Sequence, residues 1–333
     1  MRKGILVEPI RIEHGSPERA GILFVDWMLG NTCNYACSYC PEGLHNGSIP
    51  WHDLRIVDAF AATLSTVAAT QGKRVHIQFT GGEVTVRPQF LEMLRSLKQF
   101  GFGIGLISNG SRTSRWWHES LPLLSAVTLT FHPEFADLDH FVDVVTLAST
   151  AVETHVNVTT LPENFAASIS AAEHIAARCE RVSIILKPMF VAFGSNLYPY
   201  TATQLQILRD NKYHTKVSKP SSSIRGEMRV FYDDGAQKSV TPQSFVVNGL
   251  NRWRGWECDA GIELLSVDVR GDVYRGVCRE GGRLGNIANI GLSAFPRDPI
   301  QCGRDACTCL LDIMTSRRLP RAHTPSSTHP GLG

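Results

Sequence analysis

Three thiols crowd into eight residues of this chain, Cys33-Asn34-Tyr35-Ala36-Cys37-Ser38-Tyr39-Cys40. Three residues separate the first pair and two the second. Thiolates this close on one loop suit metal binding: three of them grip three irons of a cubane [4Fe–4S] cluster and leave the fourth iron open to a non-protein ligand. A zinc knuckle is the competing chemistry, but structural zinc takes four protein ligands and would have to recruit His45. Five more of the nine cysteines, Cys258, Cys278, Cys302, Cys307 and Cys309, form a second group. They exceed the four that one cubane needs, and paired cysteines around hairpins also build zinc ribbons. Cys179 stands alone in a helical stretch and reads as a core residue. Free thiols in such numbers belong to a reducing compartment, where metal binding and catalysis replace disulfides.

Positioning these groups falls to short apolar runs rich in β-branched and aromatic residues, at 22–29, 75–80, 103–108, 126–131, 154–160 and 182–187. Helical spacing fills the gaps at 54–69, 89–100, 115–124, 138–152 and 166–177. Strand and helix alternate, which predicts an α/β fold with right-handed βαβ units and a parallel sheet, open or curled into a partial (β/α)6 barrel. Chemistry in such folds gathers where strands end, and the first cysteine group follows the first strand. After residue 215 the pattern changes. Segments 228–232 and 239–247 flank Asp233-Asp234-Gly235, and 264–269 and 273–274 flank Arg270-Gly271-Asp272, as hairpins do. The expected organisation is an extension over 1–20, the α/β domain over 21–215, a small cysteine-rich, hairpin-containing α+β domain over 216–320, and a disordered tail over 321–333.

The first cysteine group, with Tyr39 ahead of its last thiol, closely resembles the signature of the radical S-adenosylmethionine (SAM) superfamily, and the resemblance covers most of the first 215 residues. It implies that the methionyl amine and carboxylate of SAM chelate the open iron, and that one electron breaks the C5′–S bond to give a 5′-deoxyadenosyl radical. Gly81-Gly82-Glu83 matches the family's glycine-rich turn, where the backbone approaches the methionyl amine and the acidic residue binds it. Ser108 and Asn109 end the third strand, where family members place polar groups near the ribose and carboxylate; Tyr39 and Asn157 join them as cofactor-binding candidates. The fourth strand ends at Thr130-Phe131-His132-Pro133-Glu134. His132 is a candidate substrate partner or proton relay, and Lys187 either binds an anionic substrate group or snorkels to the rim.

The second cysteine group resembles the SPASM/Twitch extensions that carry auxiliary [4Fe–4S] clusters. Six residues separate Gly271 from Cys278 where that pattern has four, and there are too few thiols for two clusters, so one auxiliary cluster of the Twitch type is expected. Cys258 and Cys278 are its firmest ligands, with the others drawn from Cys302, Cys307 and Cys309. The surplus thiol is either structural or a hydrogen-atom donor, as related epimerases are thought to use.

The 33 Lys and Arg against 31 Asp and Glu leave a charge of +2, which points to neither nucleic acid nor membrane. The N-terminal segment lacks the apolar core of a signal peptide, so a cytoplasmic location is expected. The reading is therefore a SAM-cleaving enzyme abstracting hydrogen from a small molecule such as a sugar, nucleoside or natural-product precursor, with epimerisation or dehydrogenation as the outcome. An electron donor such as flavodoxin or ferredoxin is implied. In the 32 residues ahead of Cys33 no cobalamin domain is expected and no leader-peptide recognition domain is evident, which tilts the expectation slightly from peptides toward a small molecule. A maturase acting on a peptide is the alternative, and a non-enzymatic zinc or iron–sulfur electron carrier the rival class.

Overall fold

The computed structural model describes residues 8–194, 196–213 and 226–320. The expected tail at 321–333 and the expected boundary at 215/216 lie outside the described residues. In chain order the regular elements are β1 (Pro9–His14), β2 (Ile22–Gly30), α1 (Leu54–Thr70), β3 (Arg74–Gly81), α2 (Phe90–Gln99), β4 (Gly103–Ser108), α3 (Ser114–Ser120), β5 (Ala126–Phe131), α4 (Leu138–Ala151), β6 (Glu153–Thr160), α5 (Phe165–Arg178) and β7 (Ser183–Pro188). There follow α6 (Ala202–Asp210), β8 (Met228–Tyr232), β9 (Gln237–Val240), α7 (Pro242–Val247), β10 (Glu257–Cys258), β11 (Leu264–Val267), β12 (Asp272–Tyr274), β13 (Arg283–Asn286), β14 (Ile300–Gln301), α8 (Leu310–Ile313) and β15 (Arg317–Arg318).

Strands β2 to β7 lie side by side, all parallel, each joined to the next through a helix. The helices start on side-chain caps: Asp53 accepts from the Arg55 amide at 2.8 Å and Asp137 from that of His140 at 2.8 Å. α1 buries Val57, Phe60, Ala61, Leu64, Val67 and Ala68, the helical spacing of one apolar stripe. That stripe packs on the strand face carrying Leu23, Val25, Trp27, Leu29, Ile77 and Phe79. Alternation along the strands sends Asp26, Gln78, Thr128, Thr130, Asn157 and Thr159 to the opposite face, where all six are buried. A parallel sheet with helices on one face and a buried polar surface on the other leaves that polar surface for ligands.

The sheet does not stop at β2. β11 adds to it in parallel, Leu264 to Val267 opposite Phe24 to Trp27, and β12 and β13 continue it antiparallel, so the order is β13-β12-β11-β2-β3-β4-β5-β6-β7. The ends of that order, β13 and β7, are edges, and no closed barrel forms among the described residues. A second, antiparallel sheet runs β14-β10-β15-β1-β8-β9 and places the N-terminal strand β1 between C-terminal strands. Ile12, Met228, Val230, Phe245, Trp253, Cys307, Ile313 and Met314 form its core.

Two local expectations change. The stretch 239–247 is not a strand: β9 ends at Val240, and Thr241 accepts from the Ser244 amide to start α7 with Pro242 in its first turn, where the missing N–H costs nothing. The helix expected over 115–124 ends at Ser120 and continues as a 3-10 turn at Leu121–Leu123, which contains Pro122.

Candidate functional site

The loop carrying the first three cysteines leaves β2 and is closed on itself by Asn31. Its buried amide donates to Gly43 O (3.0 Å), Asn46 Oδ1 (2.9 Å) and Ser48 Oγ (3.1 Å), while its oxygen accepts from the Ile49 amide at 3.0 Å. Within the loop the Cys40 amide donates to Cys37 O at 2.9 Å, and the Tyr35 amide reaches Cys33 Sγ at 3.4 Å. Ser38 lies in that turn, and both its amide (2.8 Å) and its hydroxyl (2.6 Å) donate to the Glu134 carboxylate at the end of β5. Burial pushes the thiols of Cys33, Cys37 and Cys40 up, with the charges of Cys37 and Glu83 adding to Cys33 and that of Cys33 to Cys40.

Gly81 and Gly82 are glycines because this loop passes against them. A Cβ on Gly81, whose φ is +135°, would stand 2.4 Å from Gly30 O, and one on Gly82 would stand 2.3 Å from Thr32 O. The Gly82 amide donates to Gly30 O at 3.0 Å and the Glu83 amide to Thr32 O at 2.8 Å, so the turn is laced to the cysteine loop. The Glu83 carboxylate is 1% exposed and already engaged: it accepts from the Thr85 amide (3.1 Å), Ser108 Oγ (2.9 Å) and the Asn109 amide (2.6 Å). Burial nevertheless raises its pKa. Asn109 in turn donates to Asn34 Oδ1 at 3.0 Å, which ties the end of β4 to the cysteine loop. Cys33, Gly81, Gly82, Glu83, Ser108 and Asn109 thus belong to one hydrogen-bonded assembly across the ends of β2, β3 and β4.

Tyr39 stacks on His132 at 6.2 Å between ring centres, its hydroxyl hydrogen-bonds His132 Nδ1, and it lies 3.4 Å from Thr159 Oγ1. His132 Nδ1 also lies 3.7 Å from Cys37 Sγ. Burial and then the charge of Lys187 push the His132 pKa down to about 4, so the ring is neutral near pH 7. Lys187 itself is exposed at the end of β7. Asn157 is buried and donates to Thr130 Oγ1 at 3.4 Å.

In the second group, Cys258 sits on β10 opposite Arg317 of β15 and Ile300 of β14. The Cys278 amide donates to the buried Asp312 carboxylate at 2.7 Å, and the Val277 amide to the same group at 2.9 Å. The Cys302 amide donates to Trp256 O at 2.8 Å and the Cys307 amide to Asn251 O at 2.8 Å. Cys309 precedes the first residue of α8. Burial pushes Cys278 and Cys307 up to about 12 and Asp312 up to about 6.

Sequence reasoning missed Asn31, Glu134, Asp312 and Arg317. Glu134 carried a signal, because it closes the same strand-end stretch as His132; the other three have none short of the contacts they make.

Among the described residues no three His, Cys, Asp or Glu side chains converge as a single metal ion requires. A cubane asks something different, since each of its thiolates binds a separate iron. Three thiols spread along one loop, on an assembly with a polar face beside it, fit that demand better than they fit zinc.

Comparison with known proteins agrees with this geometry. Residues 27–164 match the model of the Radical SAM superfamily. A curated S-adenosylmethionine-dependent nucleotide dehydratase from Pseudoalteromonas ulvae is 31% identical over 100 residues, 26% of this chain and 32% of that protein. The match thus spans about a third of the relative's length. Native anSMEcpe with bound AdoMet superposes with a TM-score of 0.52 at 15% identity, covering 83% of this chain and 80% of that one. Streptococcus suis SuiB bound to S-adenosylmethionine gives 0.51 at 10% identity, covering 84% and 66%. At these identities the two structures establish likeness of fold.

Proposed function

We propose that the chain is a radical SAM enzyme acting on a polar small molecule. The observation that carries this is the lacing of the Gly81-Gly82 turn to the cysteine loop inside the matched domain, which sets Cys33, Cys37 and Cys40 beside the polar ends of β3 and β4. Those three thiolates would hold the cluster, and the bound cluster and SAM supply one-electron cleavage to a 5′-deoxyadenosyl radical. The parallel run β2–β7 is read as a partial (β/α)6 barrel, and the C-terminal cysteines as ligands of one auxiliary [4Fe–4S] centre in a Twitch-like unit. Flavodoxin or ferredoxin would deliver the electron.

The chain's own residues do the rest. Asn31 and Glu134 hold the loop, Glu83 braces Ser108 and Asn109, and neutral His132, hydrogen-bonded to Tyr39, offers a proton-transfer site beside Cys37. Hydroxyl and amide groups of Gln78, Thr128, Thr130, Asn157 and Thr159 on the inner face match a hydrogen-bonding substrate such as a sugar or nucleoside. The nucleotide dehydratase relative supports the same class, with epimerisation or dehydrogenation as the outcomes proposed for this chain. Anaerobic reconstitution with iron and sulfide, then reduction in the presence of SAM, is expected to release 5′-deoxyadenosine. Replacing Cys33, Cys37 and Cys40 together by alanine is expected to abolish that release and to leave the C-terminal centre loaded; release retained by the triple variant would refute the reading.

A further inference from the structure

The start of α2 and the loop from β4 into α3 enclose a cleft that the chemistry proposed above does not use. Its volume is about 470 Å³, within the range of small-molecule sites, and three arginines, Arg87, Arg95 and Arg112, stand in its lining. Phe90 and Trp116, both buried, stack at 6.3 Å between ring centres and make part of that lining apolar. Charges attract more strongly beside such a surface than in open water. The Arg112 guanidinium lies 5.6 Å from the Trp116 ring centre, and its Nε is buried without a hydrogen-bond partner among the described residues. His140 Nε2, 3.1 Å from Arg112 O, ties the backbone of that loop to α4.

Arg87 is 6% exposed, and its side chain donates to two neutral acceptors, His52 O at 2.6 Å and Met93 Sδ. Among the described residues no ion pair within 4.0 Å engages Arg87, Arg95 or Arg112, whereas Arg55 and Arg115 nearby are paired with Asp53 and Glu119. A buried guanidinium is costly unless an anion faces it. Glu92, exposed in the first turn of α2, is the acid in the lining, so three positive charges stand there against one negative. The helix adds to the imbalance. Gln89 holds φ +61°, in the left-handed region, and no side chain caps α2, so the partial positive charge of its first turn, residues 90–92, borders the cleft.

We propose that this cleft binds a phosphate group, free or carried on a small molecule, between Arg87, Arg95 and Arg112 at the start of α2. Guanidinium forks match phosphate oxygens in pairs, and an uncapped helix start supplies further donors. One wall follows Glu83 in the chain and the other follows Ser108 and Asn109, which Glu83 binds directly, so a phosphate between the walls fastens those two loops to each other. The test needs neither cluster nor SAM, so its outcome is independent of the cysteine-loop reading. The full chain is titrated with inorganic phosphate, pyrophosphate and ribose 5-phosphate at fixed ionic strength, followed by calorimetry and by amide hydrogen exchange. Saturable binding is expected, with exchange slowed over residues 84–92 and 110–116. Arg95→Gln and Arg112→Gln are each expected to weaken binding roughly tenfold, as loss of a charge-assisted partner does. Arg115→Gln, which removes an exposed arginine of α3 outside the lining, is expected to bind as the parent does. Ribose 5-phosphate bound more tightly than inorganic phosphate would support an organic phosphate as the ligand, and equal affinities would support recognition of the phosphate alone. Binding of none of the three, binding kept in the Arg95→Gln, Arg112→Gln double variant, or an equal loss in Arg115→Gln would overturn the site.

Discussion

Two carboxylates hold the first cysteine loop and the strand ends beside it through hydrogen bonds to the chain itself. Glu134 takes both donors of Ser38, in the turn between Cys37 and Cys40, and so holds that turn against the end of β5. The contact is solvent-accessible, so each hydrogen bond is worth about 1 kcal/mol, below the full value of a buried charged pair. Glu134→Ala is expected to leave the fold intact and to accelerate loss of iron to a chelator roughly tenfold, the kinetic equivalent of about 1.4 kcal/mol. Chelation kinetics followed by cluster absorbance check this, with Glu134→Gln intermediate. Glu83 belongs to the same category. Its three donors come from the chain, so its first duty is to brace Ser108 and Asn109.

Among the elements, the crossing of the β2–α1 loop over the end of β3 is a tight junction. Gly82 faces the Thr32 carbonyl so closely that any side chain forces backbone to move. Gly43, in the same loop system, has nothing within 4 Å of where a Cβ would be. Gly82→Ala is therefore expected to cost about 1–3 kcal/mol, the usual range for forced overpacking, and Gly43→Ala less than about 0.5 kcal/mol. Denaturant midpoints of the two variants measure the difference. Strand–helix alternation was legible here because apolar period and length separate the two element types, and all six strands of the β2–β7 run fall where the apolar runs were read. The start of α7 was not legible because a proline after a strand signals a break before it signals a helix start.

For the whole molecule, the inner polar face makes stability sensitive to acid. His76 is buried on β3, stacks on Phe24 at 5.6 Å, and is pushed down to about 3 by burial and then by the Arg19 charge. Unfolded, the same ring titrates near 6.5. The unfolded state thus binds the proton first, and the stability present above about pH 6.5 is lost as pH falls toward 3, at up to about 1.4 kcal/mol per pH unit. His76→Gln is expected to flatten that slope by about one proton between pH 6 and 4 in urea-unfolding series. An unchanged slope would show that His76 is protonated in the folded state.

Local chemistry and period were carried by the sequence alone: the three-thiol loop, the Gly-Gly-Glu turn one strand later, and the βα rhythm that puts both at strand ends. These depend on residues near one another in the chain or on patterns that repeat. Partnership across distance was decided by tertiary structure. β11 beside β2, β1 between β15 and β8, the Asn31 hub, the Cys278 amide on the Asp312 carboxylate and Cys258 opposite Arg317 each join residues through packing and pairing that spacing cannot encode. The first cysteine group was therefore readable before the fold was known, whereas the strand pairings and hydrogen bonds around the second came only from the way the small sheet is assembled.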